Sequence, residues 1–235
     1  IFLNIRMQSF KDISIISCIF NNCQCNKNNQ CFDIAVLNGI TFKNNTIKNM
    51  ISSGNSYFGQ IKNSSNIASY LHDIIIDEIT FINNVCNSLF GGGSGLMILS
   101  EKIVFNECKF IKNTAVQLTS SNEQRPQPDG INSVYYNGDG GGIQIGYSSS
   151  TSNTELEFIR CNFTDNKANR HGGAIAIQTL KTVVIFDCIF ESNTANNRET
   201  SSSLLSYENH FDKKKEGRGG AIYINPTFSF HEGEE

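Results

Sequence analysis

The sequence predicts an all-β chain: a right-handed parallel β-helix, a single-stranded solenoid with about three short strands per coil and roughly six to seven coils. Three observations predict it. The word Cys-x-Phe-x-x-Asn-x-Ala occurs three times, running from Cys108 to Ala115, Cys161 to Ala168 and Cys188 to Ala195. A glycine word follows, Gly172-Gly173-Ala174-Ile175 and Gly219-Gly220-Ala221-Ile222, with the variant Gly140-Gly141-Gly142-Ile143 after the first copy. Apolar residues precede each motif Phe at steps of two, the side-chain period of a strand. An antiparallel sandwich would not need Phe over Phe and Asn over Asn in every copy. The right hand follows from the crossover preference of parallel strands.

Taking the motif Phe as origin, three weaker copies start at Phe20, Phe42 and Phe81, beside Phe110, Phe163 and Phe190. Seven residues earlier stand Ile13, Ala35, Ile74, Ile103, Leu156 and Val183. Five earlier stand Ile15, Leu37, Ile76, Phe105, Phe158 and Ile185. The slot two before the Phe holds Cys18, Ile40, Ile79, Cys108, Cys161 and Cys188, and the slot between is never apolar. The inward set therefore changes parity, so two short strands meet at a corner there.

After the Phe comes Asn45, Asn84, Asn113, Asn166 or Asn193, with Cys23 in the first copy. Asn tolerates a left-handed backbone, which suits a second corner. Stacked copies would also form an amide ladder. The glycine word opens a third strand with Ile143 and Ile145, Ile175 and Ile177, and Ile222 and Ile224 inward; Leu96 and Ile98 fit the same slots after Gly91-Gly92-Gly93. Spacings between motif Phe residues are 22 for Phe20 to Phe42, 29 for Phe81 to Phe110 and 27 for Phe163 to Phe190.

Paired with Phe-x-x-Asn, Gly-Gly-Ala-Ile resembles the repeats of the polymorphic outer membrane proteins of chlamydiae; Pmp-like repeats also occur in surface proteins of some unicellular eukaryotes. The resemblance covers residues 74–224 well and the first 70 loosely. It implies an exported right-handed β-helix displaying adhesive surfaces, with an extracellular or cell-surface location and membrane anchoring outside this segment. The first two coils lack the glycine word, and Cys23 occupies an Asn slot.

The bulk numbers agree with short strands and turns. Of 235 residues, only 17% are charged and 39% hydrophobic, leaving much Asn, Ser, Thr and Gly. A net charge of −3 argues against a broad nucleic-acid-binding face. Residues 1–235 read as one β-helix segment of a longer chain, since the chain opens on Ile and its last rung is incomplete. Insertions are expected at 48–72, 116–139 and 196–217, between Asn corner and glycine word, along one edge. Recognition usually sits on loops held by a rigid scaffold. Arg125, Tyr135, Tyr136, Tyr207, His210 and Phe211 are the candidate contacts there.

Eight Cys leave three readings open: packed thiols, a disulfide such as Cys161–Cys188, or a metal held near Cys18, Cys23, Cys25 and Cys31. No metal or cofactor is assigned. Among the sequons at Asn44, Asn63 and Asn162, Asn63 is the plausible glycosylation site. No catalytic residues are assigned. Glu78, Glu107, Arg160 and Asp187 form an outward charge ladder that suits solvated cross-coil pairs, while Asp165, Arg170 and His171 form a polar group near the glycine corner. The leading expectation is a non-enzymatic surface segment that binds a surface glycan or protein through its loops. A polysaccharide-active β-helix enzyme and a structural spacer are the alternatives. Acidic residues and an Arg converging over two or three coils would favour the enzyme.

Overall fold

A computed structural model describes residues 5–25, 32–53, 59–63, 74–87, 92–94, 96–100, 102–116, 139–145, 154–178, 181–196 and 220–225. These form strands, one three-residue 3-10 turn at Gly92–Ser94, and connecting corners. Every strand pairing recorded between them is parallel, as in the coils of a β-helix solenoid (for example Lys102–Asn106 on Glu155–Ile159).

There are four sheets, and each is named here by its place in a coil. The lead sheet runs Leu96–Leu99, Gly59–Asn63, Phe32–Lys43, Ile74–Asp77, Lys102–Asn106, Glu155–Ile159, Thr182–Phe186, with Ile5–Ile16 also paired to Phe32–Lys43. The phenylalanine sheet stacks Ile19–Asn21, Thr46–Lys48, Thr80–Ile82, Lys109–Ile111, Asn162–Thr164 and Ile189–Glu191. The alanine sheet stacks Gln24–Cys25, Ile51–Ser53, Val85–Asn87, Thr114–Ala115, Lys167–Ala168 and Thr194–Ala195. The glycine sheet holds Ile143–Ile145, Ile175–Gln178 and Ile222–Asn225.

The register makes the inward ladders. Phe81 sits beside Phe110, Phe110 beside Phe163, and Phe163 beside Phe190. Their rings stack at 4.8, 4.6 and 4.9 Å between centroids. Phe105 stacks on Phe158 at 4.9 Å, and meets Phe110 edge-on. Phe81, Phe105, Phe110, Phe158 and Phe163 are fully buried. Offset stacks and edge contacts suit the ring quadrupole, so the ladder gains beyond its buried area.

Both corners are left-handed. The slot three before the Phe carries φ of 56° at Ser17, 54° at Glu78, 53° at Glu107, 50° at Arg160 and 53° at Asp187. The parity change is therefore a real bend between lead and phenylalanine sheets. The second bend falls one residue earlier than the ladder Asn: Asn22, Asn83, Lys112, Asp165 and Ser192 have φ of 54–57°. The ladder Asn is thus a buried cross-link, and its neighbour makes the turn. One reversed residue between two strands flips the side-chain alternation, which lets −5 and −2 both face inward.

The second copy was misplaced by its motif. Phe42 pairs with Ile15 and Ile76, in the slot five before the origin, and Ile47 occupies the Phe slot between Phe20 and Phe81. Ala35 pairs with Lys62 and is no part of the −7 ladder, whereas Ile40 joins it. Asn44 makes the corner with φ 50°, and Asn45 takes the Cys slot. The Phe-x-x-Asn word at Phe42–Asn45 arose because a lead-sheet Phe precedes a corner Asn. With Ile47 as origin the coil length becomes 27 residues, matching Asn166 to Asn193.

Two more expectations change. Leu96–Leu99 pairs with Gly59–Asn63 in the lead sheet instead of joining the glycine sheet. Ser94 N–H bonds Gly142 O, so Gly92-Gly93-Ser94 stacks on Gly140–Gly142 and Leu96 lies one residue out of phase. The interval 48–72 also contains Ile51–Ser53 and Gly59–Asn63, both paired strands, so it is partly scaffold.

Candidate functional site

The residues before the glycine words at Gly140 and Gly172 stack between coils. Gly140 N–H bonds the His171 carbonyl at 2.9 Å, which places Asp139 against His171. Gly140 and Gly172 hold φ of 66° and 61°, backbone that L residues rarely adopt, and a Cβ on Gly141 would run into the Gly173 carbonyl. The paired glycines thus let two coils approach closely enough for the flanking side chains to meet.

Asp139 Oδ1 accepts the His171 backbone N–H at 3.2 Å and lies 3.2 Å from His171 Nδ1. Arg170 Nε is 3.9 Å from the same oxygen. Asp139 Oδ2 is buried with no hydrogen-bond partner. The Asp139 side chain is 0% exposed, against 15% for His171 and 20% for Arg170. The His171 ring stacks on Tyr223 at 4.4 Å. Of the polar group expected from sequence, Arg170 and His171 come together with Asp139 and Tyr223. Asp139 was missed, although its position directly before Gly140 matches that of His171 before Gly172.

This edge also borders the intervals in which insertions are expected from sequence. Val116, Asn169 and Asn196 each donate a backbone hydrogen bond to the preceding coil, at Cys86, Ala115 and Ala168. They occupy one slot just past the alanine sheet. Asn169 to His171 joins this slot to the glycine word in three residues, whereas residues 117–138 and 197–219 lie outside the described residues. The expected contacts Arg125, Tyr135, Tyr136, Tyr207, His210 and Phe211 lie outside the described residues. Asn63 ends a lead-sheet strand opposite Val36.

The other candidates belong to the scaffold. Asn84, Asn113, Asn166 and Asn193 form the amide ladder. Asn113 Oδ1 accepts Asn84 Nδ2 and N–H at 3.0 and 3.1 Å, while Asn113 Nδ2 donates to Phe81 O and Asn166 Oδ1, both at 3.0 Å. Every donor and two acceptor sites of the amide are used, as burial requires. Cys108, Cys161 and Cys188 are free thiols. Each S–H lies against a carbonyl of the preceding coil, Ile76, Phe105 or Phe158, at 3.3–3.4 Å. The hydrogen bond with Cys108, together with burial, pushes the Cys161 thiol up to about 12, and contact with Cys161 and burial push Cys188 up as well. Among the described residues no group of three or more metal-ligating side chains comes together.

The outward ladder is made of ion pairs. Arg160 bonds Glu107 at 2.8 Å, and Lys43 bonds Asp77 and Glu78 at 2.7 and 3.2 Å. Burial raises the Asp77 carboxyl, but hydrogen bonds from Lys43 and Asn106 outweigh it and leave it below its ordinary value. These pairs are largely open to solvent, so each contributes little to stability.

Stacked parallel strands, inward Phe and Asn ladders and glycine corners define a parallel β-helix repeat protein. Residues 160–178 and 187–225 match the family model for the Chlamydia polymorphic membrane protein repeat, so these coils carry repeats of that Pmp-like type. No curated protein and no solved structure matches the chain.

Proposed function

We propose that this chain is a non-enzymatic segment of a cell-surface protein that binds its ligand along the edge between the alanine and glycine sheets. The observation that carries the reading is the stacking of Val116, Asn169 and Asn196 in one slot, beside the Asp139–His171 pair. The segments read from sequence as insertions, 116–139 and 196–217, both begin at that slot, and recognition usually sits on loops held by a rigid scaffold. The matched repeat is named for membrane proteins, which supports display at a surface and anchoring through segments outside these coils. The partner class is a surface glycan or protein.

The test replaces residues 116–139 and 196–218, separately and together, by the three-residue Asn169–His171 connection. Binding to cells and to a glycan array should fall in each variant while the thermal midpoint stays within a few degrees. Unchanged binding would move the site elsewhere; no binding by any form would favour a structural spacer. A second reading, a polysaccharide-active enzyme, draws support from one carboxylate and an Arg meeting across two coils. Against it, the carboxylates that do come together, Asp77 and Glu78, are both ion-paired with Lys43 on the outward ladder. Product release from an anionic polysaccharide would decide for the enzyme.

A further inference from the structure

We infer that Asn44 and Asn162 are acceptors for N-linked glycans, and that these glycans cover two pairs of exposed apolar side chains beside the first corner. The inference rests on the cell-surface part of the reading above and adds a covalent modification to it. Asn44-Asn45-Thr46 and Asn162-Phe163-Thr164 are acceptor sequons. The fold presents them alike, with the middle residue of each, Asn45 or Phe163, buried. Asn44 is exposed at a left-handed corner with φ 50°. Asn162 and Thr164 flank Phe163 in a three-residue strand, so both side chains face outward, partly exposed. Thr164 Oγ1 donates to Asn162 Oδ1 at 2.7 Å, which leaves Nδ2 as the end of the amide turned away from the threonine. Asn44 Nδ2 donates to Ser17 Oγ at 3.2 Å, an exposed bond for which the one N–H of a glycosylated amide suffices.

Both sequons border exposed apolar side chains. Ile16 pairs with Lys43 and Ile19 with Thr46, so these isoleucines of the first coil lie beside the Asn44 sequon. Phe186 pairs with Ile159 and Ile189 with Asn162, so these residues lie beside the second sequon. Ile16, Ile19, Phe186 and Ile189 are 51, 68, 62 and 60% exposed, and among the described residues no large hydrophobic is more exposed than the last three. In the two coils that carry neither sequon nor a neighbouring one, the same outward slots hold Asp77 and Thr80, and Asn106 and Lys109. The apolar pairs thus occur where a sequon adjoins them. Exposed apolar surface favours association, and a hydrated oligosaccharide rooted beside it shields it. In the modification, the amide Nδ2 displaces a lipid pyrophosphate from the anomeric carbon of a lipid-linked oligosaccharide. The N–C bond forms, the C–O bond to the pyrophosphate breaks, and one amide proton is released. Donor and transferase belong to the export compartment; the chain supplies the amide and the threonine hydroxyl. In chain order the phenylalanine and alanine sheets separate this corner from the alanine–glycine edge, so the glycans are rooted away from the surface proposed for binding.

The test directs the whole chain into eukaryotic microsomes with an added signal peptide. Peptide N-glycosidase then converts each glycosylated Asn to Asp, and peptide masses locate the conversions. Asn44 and Asn162 should both be converted. Thr46→Val and Thr164→Val should each abolish conversion at their own site alone, and Thr164→Ser should keep part of it. Because a strand variant risks the fold, the wild-type chain supplies an independent arm: removing the glycans from the folded protein should raise the fluorescence of an apolar-surface dye. An unconverted Asn44 or Asn162 in chains protected inside the microsome would overturn the assignment at that site, and conversion confined to Asn63 would overturn both. Dye fluorescence unchanged by deglycosylation would overturn the covering role. The added signal makes these outcomes independent of ligand binding. Conversion at both sites, with cell binding unaffected by trimming 116–139 or 196–218, would leave this inference standing and the binding reading fallen; no conversion, with binding lost on trimming, would do the reverse.

Discussion

The two corners of each coil do the same job with different chemistry. At the first, between lead and phenylalanine sheets, the thiols of Cys108, Cys161 and Cys188 tie their coils to the one before; at the second, the amides of Asn84, Asn113, Asn166 and Asn193 do. The amide of Asn166 donates to Phe110 O at 2.8 Å and to Asn193 Oδ1 at 2.9 Å, and its own Oδ1 accepts two bonds from Asn113. The thiol of Cys161 reaches Phe105 O and Ile159 O, both at 3.4 Å. Yet in the second coil Asn45 fills the thiol slot, accepting Cys18 N–H at 2.8 Å and donating to Ile15 O at 2.7 Å. In the first coil Cys23 fills the amide slot, its backbone carbonyl accepting Ile51 N–H in the manner of Asn84 with Thr114. Where these slots are polar, a buried group bonds the neighbouring coil, while Ile79 and Met50 fill the same two slots with apolar side chains. Cys serves there as a hydrogen-bonding residue, and its redox chemistry is incidental.

The largest effect should come from the wall that both corners share. Phe163 lies two residues after Cys161 and three before Asn166, fully buried, with Phe110 and Phe190 stacked on its faces. Phe163→Ala should cost about 3–5 kcal/mol by chemical denaturation, as a buried aromatic truncation. A loss below 1 kcal/mol would show that the ladder rings do not stack as described. If the corners alone held the coils together, the loss would also be small.

Asn113→Ala tests the amide corner. It strands one Asn84 Nδ2 hydrogen, the Asn84 N–H and Phe81 O inside the core, while Asn166 Oδ1 keeps the backbone N–H of residue 113. Unsatisfied buried groups cost about 1–3 kcal/mol each, and shared relaxation brings the sum to roughly 3 kcal/mol. The matched change at the thiol corner, Cys161→Ala, loses weaker bonds and should cost about 1 kcal/mol plus a small cavity term. Equal losses at the two sites would erase the distinction between the corners.

The same contrast explains what sequence could read. Slots filled by one chemistry in consecutive coils were legible: Phe110, Phe163 and Phe190, the four ladder Asn residues, and the parity change that proved to be a left-handed residue. Slots that accept several chemistries were not. Ile47 stands in for Phe and Asn45 for Cys, so the motif at Phe42 drew the second copy five residues out of place. A backbone corner tolerates Ser, Asn, Glu, Arg or Asp alike, because the cost lies in φ and not in the side chain. The candidate site was half legible. Arg170 and His171 stood out beside the glycine word, while Asp139, a distant residue brought in by stacking across an insertion, required the register.

The smallest effect is the sharpest test of thiol as amide surrogate. Cys161→Asn should be nearly neutral at pH 7, within about 1 kcal/mol, because Asn45 already makes the equivalent bonds in the second coil. The two side chains then diverge with pH. Hydrogen bonding with Cys108 and burial push the Cys161 thiol up to about 12, above its ordinary value of 9.0. Between those values the unfolded thiol is deprotonated while the folded one keeps its proton. The unfolded state therefore binds fewer protons, and stability must fall as pH rises through that window. Below about pH 8 the term vanishes, since both states are neutral. An amide does not titrate, so Cys161→Asn should lose less stability than the wild type when denaturant midpoints are compared at pH 8 and pH 10.5. Parallel alkaline losses in the two proteins would mean that Cys161 titrates freely, and the thiol ladder would then be packed without being hydrogen-bonded.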